Sequence, residues 1–126
     1  MIGRRYAIPL KTCVALERVF EAPVDGVIVI EYSLYARAHL GMYATTRPNR
    51  ILLVNSGAEF AANSELLLHE YFHVIRQWRP GHLTRLRYLT ESARRGYRAN
   101  RYEQEAREFA ATARERLEQY LQELAQ

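Results

Sequence analysis

The chain has 126 residues, of which 48% are hydrophobic and 25% charged, and a formal net charge of +4. That composition fits one globular domain spanning residues 1–126 with a modest core. No apolar run approaches the ~20 residues that a membrane helix needs, so no membrane association is expected. Of the 18 basic residues 17 are arginine. They are spread along the chain and form no block with interleaved aromatics, so nucleic-acid binding is not expected.

Met1 to Arg5 is basic, but Pro9 and Lys11 break the following segment, so no signal peptide is read. The single cysteine, Cys13, cannot form an internal disulfide. Both observations favour a reducing, cytoplasmic setting. Thr12 to Glu21 carries apolar residues at helical spacing, with Thr12 as a cap and Pro23 beyond the end. Cys13 reads as a buried, inert side chain of that helix.

After the Asp25-Gly26 turn, the β-branched run Val27 to Tyr32 reads as a buried strand. Ser33 to Leu40 fits one or two helical turns, which Gly41 breaks. Met42 to Thr46 and Ile51 to Asn55 read as two further strands. Arg47-Pro48-Asn49-Arg50 joins them as a hairpin turn. The expectation is a sheet of about three strands.

Asn63 or Ser64 then caps a helix that is apolar nearly all round, with Leu66, Leu67, Leu68, Phe72, Val74, Ile75 and Trp78. Such a helix is buried. It also carries His69-Glu70-Tyr71-Phe72-His73, a His-Glu-x-x-His motif. Burying two imidazoles and a carboxylate is costly unless they are paired or bind metal. Imidazoles four residues apart lie one turn above each other on one helix face, where they can share a zinc ion with the glutamate as general base. Arg79-Pro80-Gly81 stops the helix. Leu83 to Arg95 is a second helix with Thr84 as a cap, and Gly96 ends it. Tyr97 to Arg101 reads as a loop, and a last amphipathic helix runs from about Arg101 to Leu124.

A catalytic zinc takes three protein ligands and keeps one position for water. The metzincin pattern would place a glycine and a third histidine at positions that here hold Arg76 and Arg79, which excludes it. His82 lies just past the helix. His39 precedes the later strands and reads as an ordinary histidine. Glu103 and Glu105 stand on the last helix. There Glu103-x-x-Ala106-x-x-Phe109-Ala110 resembles the glutamate helix of gluzincin metallopeptidases, above all the ImmA/IrrE type. Ala44 to Leu53, followed by Leu67-Leu68-His69-Glu70, is similar to the eCIS-core domain. Together these likenesses cover roughly residues 27–112.

The resemblance implies an α+β zincin-like fold: a short sheet, the histidine helix and two further helices. It implies Zn2+ held by His69, His73 and Glu103, and Glu70 as the base of a metal-activated water that hydrolyses a peptide bond. Glu103 shares a helix face with Ala106 and Ala110, and Glu105 points away, so Glu103 is the expected ligand and Glu105 the reserve. Gluzincins often place an acid or amide where this chain has Arg107, so Glu108 and Glu65 come into question as supports for the histidines. An electrophile for the oxyanion is expected among Tyr97, Tyr102, Tyr88 and Arg98, with Tyr97 favoured. By the same resemblance Leu53 to Asn55 pairs with the backbone of a peptide or protein substrate. The competing expectation is a non-catalytic zinc-binding interaction module on the same fold.

Overall fold

The computed structural model describes residues 3–37 and 44–125, except the side chains of Tyr35, Arg37 and Tyr97. His39, and Met42 and Tyr43 of the expected second strand, lie outside the described residues.

Alternation of apolar side chains sets the sheet. Strand β2 (Ile28–Glu31) lies parallel to β4 (Arg50–Leu53), and β4 pairs antiparallel with β3 (Ala44–Arg47). Val29, Ile51, Leu53 and Ala44 face the main core, while Ile30 and Leu52 turn to the other face. That is the period of two expected of a strand. Arg47 pairs with Arg50, so the hairpin loop is the two residues Pro48 and Asn49. Asn49 takes a φ of 59°, a left-handed conformation that asparagine tolerates.

Among the described residues the sheet has four strands, not three. The short β1 (Arg4–Tyr6) adds an antiparallel edge to β2, giving the order β1-β2-β4-β3. An ion pair of 2.7 Å between Arg4 Nε and Glu31 Oε2 fastens it. Glu31 Oε1 accepts a hydrogen bond of 2.8 Å from the amide of Gly57. Those two donors, the amide first, hold the Glu31 carboxyl below its usual range.

Helix α1 (Leu10–Phe20) begins two residues before the expected Thr12 and follows Pro9; Thr12 itself is buried. Helix α2 (Leu34–Arg37) is a single turn that lays Ala36 on Ile30 and Leu52. Helix α3 (Gly57–Ala62) has no counterpart in the sequence reading. Ser56 caps it, its Oγ accepting from the amide of Glu59 at 3.1 Å. Helix α4 (Ser64–Phe72) starts at Asn63, whose Oδ1 accepts from the amide of Leu66 at 3.0 Å.

The helix then widens into a π-helical segment, His73–Trp78. Arg76 and Arg79 anchor this segment by donating to the carbonyls of Phe20 and Pro23 at 2.8 and 2.7 Å. Arg76 thus meets an orphan carbonyl in the last turn of α1, and Arg79 a carbonyl of the loop that follows. Trp78 Nε1 donates to Thr46 Oγ1 of β3 at 3.1 Å.

Helix α5 (Arg85–Ala99) contains Gly96 in a non-helical conformation, φ 80° and ψ 166°. Gly96 therefore breaks the helix as expected, but a further helical turn stands where a loop was expected. Helix α6 (Arg101–Leu124) is capped by Asn100, whose Oδ1 accepts from the amide of Tyr102 at 2.9 Å. Its main partner is α4. Ala106, Ala110, Ala113 and Leu117 are buried along one stripe of α6. Three alanines let the two helix backbones approach closely.

Candidate metal centre

Helix phase brings the site together. His69 on α4 and His73 at the start of the π-helical segment that continues it lie one turn apart and both face Glu103, in the first turn of α6. Glu103 Oε1 stands 2.9 Å from His69 Nε2 and 3.2 Å from His73 Nε2. The two imidazole nitrogens are 3.3 Å apart. These three atoms form the one group among the described residues with the donors and spacing to hold a metal ion. His73 and Glu103 are buried, whereas the His69 side chain keeps 14% of its exposure and gives the site its solvent side.

The second nitrogen of His73 is fixed by Gln77. His73 Nδ1 and Gln77 Oε1 are 2.6 Å apart. Gln77 Nε2 donates to the carbonyl of Tyr102 at 3.0 Å and to Glu105 Oε1 at 2.9 Å. With both amide protons committed, Gln77 Oε1 can only accept, so His73 Nδ1 carries the proton it shares. Nε2, which faces Glu103 Oε1, is then the nitrogen that would bind a metal in exchange for its proton.

This is the support for which Glu65 and Glu108 came into question. Glu65 pairs with Arg114 at 3.4 Å on the surface, and Glu108 is exposed. Glu105 is exposed too and serves from behind Gln77 rather than at the centre. No periodicity marks Gln77, because the π-helical turn that presents it has no residue signature. Its place four residues after His73 was the available signal.

Tyr88 on α5 donates to Glu103 Oε2 at 2.8 Å. The carboxylate is therefore held by one oxygen and offers the other to the histidines. Of the described side chains among those considered for the oxyanion, Tyr88 is the one hydrogen-bonded to the triad. Tyr102 is buried, with its hydroxyl 3.4 Å from the carbonyl of His82. Arg98 is exposed, and the Tyr97 side chain lies outside the described residues. His82 is exposed and outside the triad. Cys13 also lies outside it, with Sγ 3.7 Å from the carbonyl of Ile8.

Glu70 is buried beside the triad, with Oε2 4.0 Å from His69 Nε2. Burial pushes its pKa up against the opposing charges of His73 and His69, and the Glu103 carboxylate adds to the rise. Burial also disfavours the charged forms of His73 and Glu103, but their contact outweighs it. With no ion bound, the His73 pKa is raised to about 9 and the Glu103 carboxyl falls far below the usual range.

The chain matches no protein-family model, no curated protein and no solved structure.

Proposed function

We propose that the chain is a zinc-dependent peptidase of the gluzincin type that acts on peptide or protein substrates. The observation that carries this reading is the triangle of His69 Nε2, His73 Nε2 and Glu103 Oε1, with sides of 2.9, 3.2 and 3.3 Å. A tetrahedral zinc with bonds of about 2.0–2.1 Å separates its ligand atoms by about 3.3 Å. Two imidazoles and one carboxylate are also a gluzincin's donor set. When bound, zinc supplies a Lewis acid that polarises a carbonyl and acidifies water.

The remaining chemistry belongs to side chains of this chain. Glu70, one residue from His69 and buried beside the triad, is the base. It takes a proton from the attacking water and delivers it to the leaving amine. Its raised pKa suits a group that must both accept and return a proton. Tyr88 holds Glu103 Oε2, and Gln77 holds His73 Nδ1, so both ligands are oriented before metal arrives. The order of sheet, histidine helix and glutamate helix supports the same reading. Strand addition is assigned to β3, because β4 is interior and β3 ends the sheet among the described residues. Trp78 ties β3 to the helix that carries the histidines.

Zinc analysis with a peptide-library assay tests the proposal. One zinc per chain and cleavage by the wild type are expected. Glu70→Gln is expected to keep its zinc and lose at least ~100-fold in rate, the usual worth of a positioned base. One zinc without cleavage of any peptide would instead mark a non-catalytic zinc module.

A further inference from the structure

A groove of about 270 Å3 opens beside the start of α4. Its apolar walls are Leu53 from the end of β4, Phe60 from α3 and Leu66 from α4. Leu66, His69, Glu70 and His73 are spaced i, i+3, i+4 and i+7, so they lie along one helix face. Leu66, the groove's nearest wall on that face, therefore stands about one turn, or roughly 4.5 Å along the axis, from His69. Its volume falls below the ~300 Å3 at which small-molecule pockets begin, so it suits one long side chain rather than a whole ligand.

The polar rim sets the chemistry of that side chain. Asn55, Ser56 and Asn63 also border the groove; the side-chain oxygens of Ser56 and Asn63 are committed to capping α3 and α4, and Asn55 adds an uncharged amide. Glu59 is the single charged residue in the lining. Its carboxylate is exposed and in no ion pair among the described residues. An aliphatic stem can lie along Leu53, Phe60 and Leu66 while a cationic head meets Glu59, as lysine and arginine do when they keep the charge in water.

We propose that this groove is a substrate subsite for one lysine or arginine side chain adjoining the bond cleaved at the metal centre. The proposal rests on the peptidase reading and supplies its substrate class: peptides with a basic residue beside the scissile bond.

Methyl NMR on the full zinc-loaded chain tests it, with N-acetylarginine amide and N-acetylnorleucine amide as probes, in wild type and Glu59→Gln. The arginine probe is expected to shift the methyls of Leu53 and Leu66 and to bind more tightly than norleucine. Glu59→Gln is expected to weaken the arginine probe by up to about fivefold, the limit for an exposed pair, and to leave norleucine unchanged. Equal binding of the two probes by the wild type, or arginine binding indifferent to Glu59→Gln, would overturn the subsite. Arginine binding as described with no peptide cleaved would uphold the subsite and remove the peptidase reading. Cleavage with no preference for lysine or arginine, and no arginine binding, would do the reverse.

Discussion

Gln77 decides which nitrogen of His73 faces Glu103, because both of its amide protons are already spent on Tyr102 and Glu105. Partners of this kind are worth 10–100-fold in metal affinity. Gln77→Ala is therefore expected to weaken zinc binding about 10- to 100-fold while leaving one site per chain, which a competition titration with a chelator measures. The titration behaviour follows from the same contacts. The metal-free His73 pKa is raised from 6.5 to about 9, so its contribution to stability is complete below pH 6.5 and fades as pH rises through 9. Glu103 shifts downward from 4.5, so its contribution is present above pH 4.5 and lost on acidification. The His73–Glu103 pair is thus worth most between about pH 4.5 and 6.5. Thermal melts of the metal-stripped chain should show its Tm falling on both sides of that window more steeply than in Glu103→Gln. Zinc competes with the His73 proton, so its affinity should rise with pH up to about 9.

At the scale of elements, the site depends on how closely α4 and α6 approach. Ala106 is fully buried one turn beyond Glu103. Ala106→Leu forces the helices apart, with an expected cost of about 1–3 kcal/mol in urea unfolding and a parallel loss of zinc affinity. Gly57 holds the other end of the fold, because a Cβ there would lie 2.1 Å from the ring of Tyr6. Its amide also donates to Glu31. Gly57→Ala is expected to destabilise by a similar ~1–3 kcal/mol without changing zinc stoichiometry, which separates damage to the frame from damage to the site. Much of this architecture could be read from residues that signal locally. His69, Glu70 and His73 are marked by spacing, Asn63 by its capping chemistry, and Glu103 over Glu105 by the alanine stripe of α6. The rest depends on contacts far apart in sequence. Strand β1 is three residues held by Glu31, 27 positions away from Arg4. Helix α3 hides in a segment that resembles the end of a strand. The π-helical turn is pinned by Arg76 and Arg79 to carbonyls at and just beyond the end of α1, and nothing in its own residues announces it. The interior position of β4 follows from the parallel pairing with β2, which a hairpin reading of β3 and β4 cannot show.

For the whole molecule, an ion held by His69, His73 and Glu103 would join α6 to the helix that is its main partner, so metal binding and folding would be linked. Zinc at 100 times its Kd adds about 2.7 kcal/mol to the folded state. For a chain of this size that corresponds to roughly 10 °C in Tm, a shift that calorimetry with and without chelator reads directly. The identity of the ligands can be read by X-ray absorption at the zinc edge of the loaded wild-type chain. The expected spectrum has nitrogen and oxygen neighbours at about 2.0–2.2 Å, with the outer-shell pattern of two imidazoles and one imidazole fewer in His73→Ala. A sulfur neighbour at about 2.3 Å, or a spectrum that His73→Ala leaves unchanged, would contradict the assignment of His69, His73 and Glu103.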